Sequence, residues 1–311
     1  MKRFKSILVL VTDGDDFGPR LERAAALAQR NSAKLTLFSV VETDRVERRI
    51  VLRTGDEFDV RGYLTETRRE ELDELARDLI DVDVEVDVGT GIPFVEVIRR
   101  VLVHDHDLVV VPFEETRWRR GVAGSSTAMH LLRKCPVPVW VDSGGLEPGS
   151  DVAVAVGPFE TEPSKDSLNV TLLELATSLA AMRGGTVHVI NAWRLEGESM
   201  LRRGRHRPPS REVDEMVELT HAAAEVGLKR LLEFQPDMDV PTEIHIVKGD
   251  AGSVVPDIVE QVDPGVVVMG TLARTGLKGV FMGNTAEHVL GAIDTAVLTV
   301  KPKGFVSPIA I

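Results

Sequence analysis

Apolar residues along this chain follow two alternating rhythms. Short blocks rich in β-branched residues, such as ILVLV (Ile7–Val11) and VVVM (Val266–Met269), predict strands that are apolar on both faces. Between them run stretches with a helical period, clearest in LERAAALAQR (Leu21–Arg30) and AAAEVGLKRLLEF (Ala222–Phe234). In the first half the pattern predicts strand Ile7–Val11, helix Pro19–Arg30, strand Lys34–Val41, a charged helix Thr67–Leu79, strand Val82–Val88 and helix Phe94–Val103. In the second half it predicts strand Val152–Val156, helix Asp166–Ala181, strand Thr186–Ala192, helix Val213–Phe234, strand Thr242–Val247 and helix Ser253–Val262. Each half closes with a fourth strand, a loop, a helix and a fifth strand.

The two halves repeat one another. VVVPFEETRWRRGVAGSSTAMHLLRKCPVPVWVD aligns without a gap on VVVMGTLARTGLKGVFMGNTAEHVLGAIDTAVLTV, so that Gly121 meets Gly279, His130 meets His288 and Val139 meets Val297. Alternating strands and helices predict an α/β class: two tandem doubly wound domains, each a five-stranded parallel sheet of order 3-2-1-4-5. The expected bounds are 1–143 and 151–311, joined by the linker-like stretch 144–150 (GGLEPGS). In such a sheet a ligand sits beyond the carboxyl ends of the strands where the order reverses. The residues after Val11, Val111, Val156 and Met269 are therefore the ones to question.

Composition narrows the function. The 311 residues are 43% apolar and 28% charged, as in an ordinary globular protein. No apolar run is long enough for a membrane span, and the basic-then-apolar start MKRFKSILVLV is read as a first strand rather than a signal peptide, giving a cytoplasmic expectation. The single cysteine, Cys135, excludes an intrachain disulfide framework and is expected to be a buried, inert thiol. A net charge of −12 opposes general nucleic-acid binding, which needs cations to neutralise phosphates.

Candidate chemistry gathers in three places. GTLARTGLKGVFMGNTAEHVL supplies small residues at Gly270, Ala273, Gly276, Gly279 and Gly283, which let a backbone fold closely round a phosphate. Asn284 and Thr285 follow, placed to cap the next helix and leave its N–H groups toward an anion. Two basic runs lie in the connections after the second strands. TDRVERRIVLR carries Arg48 and Arg49, and LRRGRHRPPSR carries Arg202 and Arg203. They are either solvated loops or a guanidinium rim for phosphates, a phospholipid headgroup or a short nucleic-acid segment. The run HDHD (104–107) reads as a polar turn, and no metal site is expected. His130 and His288 occupy equivalent helical positions, which suggests packing.

The sequence strand, Gly-x2-Gly-x9-Gly-Ser/Thr, helix, then CPV resembles the universal stress protein family, in its tandem two-domain branch. HLLRKCPVPVW and GTLARTGLKGVFMGNTAEHVL carry the resemblance. In ATP-binding members an acid after strand 1 meets the nucleoside, the end of strand 2 meets the adenine, and the glycine loop holds the phosphates. By that resemblance Asp13 and Val41 are nucleoside-side candidates in the first half. Its loop, however, has Pro112 and Glu115 for the first two glycines and Trp118 where the second half has Gly276. The second half keeps Gly270, Gly276, Gly279 and Gly283. It has Ala273 for the second glycine, Asn284 for the usual Ser or Thr, and Gly157 for the strand-1 acid. The implied protein is a non-catalytic stress-response binder with a degenerate nucleotide site and weak ATP binding at most. The alternatives are a lipid-like, amphipathic anionic ligand in the same cleft, or slow ATP hydrolysis in the second domain. The two apolar fifth strands are expected to cover one another within the chain, and a further homodimer is compatible with this.

Overall fold

The computed structural model describes residues 4–12, 18–42, 49–51, 57–113, 126–144, 147–157, 159, 167–235, 239–271 and 282–310. The chain divides into two units, Met1–Gly144 with Phe305–Ile311, and Gly145–Gly276 with Met282–Gly304. The C-terminal residues thus group with the first unit, where Arg99 Nε donates to the Ala310 carbonyl at 3.4 Å.

The first unit runs β1 (Ser6–Leu10), α1 (Gly18–Asn31), β2 (Lys34–Glu42), β3 (Arg49–Val51), β4 (Glu57–Asp59), α2 (Val60–Arg77), β5 (Val84–Gly91), α3 (Pro93–His104), β6 (Leu108–Pro112), α4 (Thr127–Lys134) and β7 (Val139–Asp142). Five strands form a parallel sheet in the order β5-β2-β1-β6-β7, the reversal of direction that was expected. Ile7 pairs with Leu35 on one side and Leu108 on the other. Ile7, Leu8, Leu35, Leu37 and Leu108 are fully buried, and each such side chain contributes ~1.5–3 kcal/mol relative to exposure.

The strand inventory is larger than the pattern predicts. β3 and β4 form an antiparallel ribbon in the connection read as a basic loop, with Arg49 opposite Asp59. Asp59 then caps α2 by accepting from the Gly62 N–H at 3.0 Å. The helix therefore begins at Val60, not Thr67. Gly62 lies in its first turn, where the cap offsets the poor helix propensity of glycine.

The second unit runs β8 (Val152–Ala155), α5 (Ser167–Arg183), β9 (Val187–Trp193), α6 (Glu198–Arg203), α7 (Ser210–Leu232), β10 (Thr242–Lys248), α8 (Ala251–Val262), β11 (Val266–Gly270), α9 (Asn284–Ala292) and β12 (Ala296–Val300). Its sheet has the same order, β10-β9-β8-β11-β12. The short helix α6 occupies the start of the second basic run. No helix among the described residues is long and apolar enough to cross a membrane.

Aspartates pin the amino ends of both sheets. Asp107 accepts from the backbone N–H groups of Lys5 (2.7 Å) and Ser6 (3.0 Å). Asp151 accepts from that of Thr186 (2.7 Å). The HDHD run is thus a turn: Asp105 ends α3 in a left-handed conformation (φ 53°), as Asp263 ends α8 (φ 46°). His106 is buried there, its Nδ1 2.8 Å from Ser6 Oγ. Burial, with Arg100 adding, pushes its pKa down to about 4. The folded state therefore holds a neutral ring, and acid favours the unfolded chain, whose histidine takes up a proton near its ordinary value. Stability of the first unit should be complete above pH ~6.5 and fall by roughly 2–3 kcal/mol as pH drops toward 4. Urea denaturation across that window is the measurement, and His106→Gln should flatten the dependence.

Candidate functional site

In each unit the first strand lies between the second and the fourth, so crossovers leave on opposite faces and open a cleft beyond the carboxyl ends. In both units a polar side chain from the second strand ties down the end of the first. Ser39 Oγ donates to the Val11 carbonyl at 2.8 Å, and Asn191 Nδ2 donates to the Val156 carbonyl at 3.0 Å.

In the first unit this edge is occupied by internal contacts. Arg68 of α2 donates through Nε to Ser39 Oγ at 2.9 Å and pairs with Glu71. β6 ends in Pro112, which has no N–H to offer a ligand. Beside it the buried Asp142 carboxylate accepts from Arg23 Nε and Nη2, at 3.2 and 2.7 Å, and lies 3.6 Å from Arg20 Nε. Ser126 caps α4, its Oγ accepting from the Met129 N–H at 3.2 Å. Val41 is half-buried near the carboxyl end of β2, opposite Thr90. Asp13, Glu115 and Trp118 lie outside the described residues.

The second unit differs at each point. Gly157 follows β8 with φ +107°, and its N–H donates to Asn169 Oδ1 at 3.1 Å. A Cβ there would stand 2.7 Å from Asn191 Nδ2. β11 ends at Gly270, which Leu168 of α5 approaches so closely that a Cβ would meet it at 3.1 Å. The neck of the following loop is closed by the Gly283 N–H donating to the Thr271 carbonyl at 3.0 Å. Gly283, rather than Asn284 or Thr285, is the N-cap of α9, so no side chain caps this helix. Asn284 and Thr285 are exposed. Lys301, buried at the end of β12, brings its Nζ to 3.3 Å from Thr271 Oγ1. Thus a cation and an uncapped helix start stand at the loop whose counterpart carries an acid and a capped helix. Ala273, Gly276 and Gly279 lie outside the described residues.

The basic connections divide similarly. Arg48 is outside the described residues, and Arg49 pairs through its backbone in β3. Arg202 is engaged by Glu198 and Asp214, both at 2.9 Å, and Lys248 by Glu198 at 2.8 Å. Arg194 pairs with Glu196 and Asp250. Of these, Arg194, Glu196, Glu198 and Lys248 line a shallow polar groove with Met200, while Arg203 is exposed. His130 stacks on Phe94 at 4.2 Å, and His288 lies beside Gly252 at the matching place. Cys135 is buried.

Sequence reading did not single out Asn191, Asn169, Lys301 or Asp142. The signal was there in part. An amide interrupts the apolar strand VHVINAW, and a lysine directly follows AVLTV.

The universal stress protein family model matches residues 3–142 and 161–301. The chain belongs to that family. As a tandem universal stress protein it is similar along its whole length to universal stress protein E of Salmonella typhi, with 29% identity covering 100% of this chain and 98% of the relative. The same protein of Escherichia coli K12 is 28% identical over the same shares. A crystal structure of a functionally unknown protein from Pseudomonas aeruginosa PAO1 superposes with a TM-score of 0.68 at 22% identity, covering 97% of this chain and 94% of that one. A universal stress protein from Archaeoglobus fulgidus gives 0.61 at 16% identity, over 97% and 98% of the two chains. These two likenesses speak for the fold.

Gly157 provides a direct test of the edge. A left-handed φ penalises any side chain, and Asn191 blocks the space. Gly157→Asp should therefore lower the stability of the second unit by about 1–3 kcal/mol, read as a reduced urea midpoint. Adding Asn191→Ser should recover part of that loss by clearing the room the amide takes.

Proposed function

We propose that this universal stress protein serves the stress response by binding rather than by catalysis, in the cytoplasm, with a nucleotide site that is worn in both units. The second unit keeps an edge that accepts an anion; the first does not. The observation that carries this reading is Gly157. Its φ of +107° and the adjacent Asn191 leave no place for the carboxylate that would hold a ribose. The loss of such a charge-assisted hydrogen bond costs about 1.5–3 kcal/mol, or roughly ten- to a hundredfold in affinity. What remains is phosphate-directed: the small-residue loop from Gly270, the uncapped start of α9 and Lys301. In the first unit Pro112, the Ser126 cap and the Arg–Asp142 pairs use up the groups a triphosphate would need.

Titration calorimetry with MgATP on the full chain tests this. Weak binding, without measurable turnover, is the expected result. Ala273→Gly combined with Asn284→Ser should tighten it by restoring close backbone approach and a compact hydroxyl at the loop. Lys301→Met should weaken it further. Submicromolar affinity in the unaltered protein would falsify the worn-site reading. Native mass spectrometry of the purified protein separates the two ligand classes, since a co-purified lipid mass in place of a nucleotide would transfer the cleft to an amphipathic anion.

A further inference from the structure

At the opposite end of the second sheet, three metal-ligating side chains converge. His188 is the second residue of β9, and Glu243 is the second residue of β10 and its partner in the ladder. His245 lies two residues on, so all three side chains share one face of the sheet. Their nearest ligand atoms lie within 4.8 Å of one another. His188 Nδ1 is 3.1 Å from His245 Nε2 and 3.5 Å from Glu243 Oε2. Two ligands held at about 2.0–2.1 Å by a tetrahedral zinc ion are themselves about 3.3–3.4 Å apart. The observed separations bracket that edge.

The surroundings are those of a built site. His188 is buried, and its other nitrogen, Nε2, faces Asp151 Oδ2 at 3.4 Å. A carboxylate on the far nitrogen fixes the ring and keeps the proton there, which turns the Nδ1 lone pair outward. Asp151 is itself held by the Thr186 N–H. Glu243 is exposed and His245 half-buried on an edge strand of this unit, so an ion can enter and keep a water as fourth ligand.

The repeat supplies an internal control. In the first unit the same ladder places Thr36 opposite Glu85, with Asp87 two residues on. There the convergent acids hold a protein cation. Arg100 of α3 bonds Glu85 and Asp87, each at 2.6 Å, and Lys34 pairs with Glu85. In the second unit Ile258 of α8 stands where α3 has Arg100, as the matching left-handed ends Asp105 and Asp263 show. Thr186 replaces Lys34, and the strand positions carry His188, Glu243 and His245. The cation that one repeat builds into its sequence is absent from the other, and two imidazoles have entered in its place.

We propose that His188 Nδ1, His245 Nε2 and Glu243 form a binding site for a divalent transition ion of the zinc class, with Asp151 as a positioning residue. Two imidazoles and one carboxylate suit zinc better than the oxygen-preferring magnesium or calcium. The site lies at the amino ends of the strands, away from the phosphate loop, and does not depend on nucleotide binding.

The full chain, stripped by a chelator and then titrated with Zn²⁺ alone, gives the test. One saturable equivalent is expected by calorimetry and by elemental analysis after desalting. His245→Ala and Glu243→Gln alter the less buried ligands and should each weaken that binding at least tenfold, with circular dichroism confirming the fold. Asp151→Asn should weaken it about 10–100-fold while all three ligands remain. The pair Ile258→Arg with His245→Asp copies the first unit's arrangement and should abolish it. No zinc on the unaltered chain, or zinc retained at full affinity in both ligand variants, would overturn the proposal.

Discussion

Parallel strands cannot be joined by tight turns, so every step from one strand to the next requires a crossover that returns to the same end of the sheet. That requirement organises each unit of this protein. Helices cover both faces, which is why ILVLV and VVVM are apolar throughout and fully buried. It also sorts the polar chemistry to the two ends. At the carboxyl ends, connections leave on both sides of the first strand and open a cleft. At the amino ends, the incoming chain must be held in register, and Asp107 and Asp151 do so through backbone N–H groups.

The two units solve the same electrostatic problems with different residues. At the carboxyl edge the first unit buries Asp142 against Arg20 and Arg23, while the second buries Lys301 beside Thr271. A buried ion pair satisfies itself and offers little to a ligand. At the amino edge the roles change: Arg100 clamps two carboxylates in the first unit, whereas the second turns two imidazoles and a carboxylate toward one point. Folding requires only that each end be satisfied. The choice of residue decides whether anything from solution takes part.

Much of the fold was legible because buried parallel strands leave a strong signal. The runs at Ile7, Lys34, Val152 and Thr242 all correspond to strands, within one or two residues at either end. The ribbon β3–β4 was not legible, since its residues lie in a charged connection and its stability depends on pairing rather than on an apolar face. The start of α2 was missed because its signal is a single capping acid, Asp59, with a glycine, Gly62, in the first turn. At the candidate edge the sequence places a glycine, Gly157, after the first strand of the second unit. Its conformation was not legible, because φ at a glycine and the reach of Asn191 are properties of the folded chain. The histidine cluster was invisible for another reason. Its ligands are separated in sequence and meet only through the register of β9 with β10.

Ser39 and Asn191 tie the conformation of the residue after the first strand to the identity of a residue in the second. Both side chains perform the same task, donating to the carbonyl that follows the first strand. A hydroxyl is compact and leaves room beyond it. The amide is larger, and its nitrogen occupies the space a Cβ at position 157 would need. With that space filled, glycine can adopt φ +107° at no steric cost, and its N–H turns to Asn169 of α5. Serine-to-amide exchange, glycine and the helix amide thus form one mutually supporting arrangement. Each member is tolerated because of the others, so placing a carboxylate at position 157 demands a change in the second strand as well as in the first. That point of the carboxyl edge is a packed structural joint, whereas Thr271 and Lys301 meet at the ends of β11 and β12.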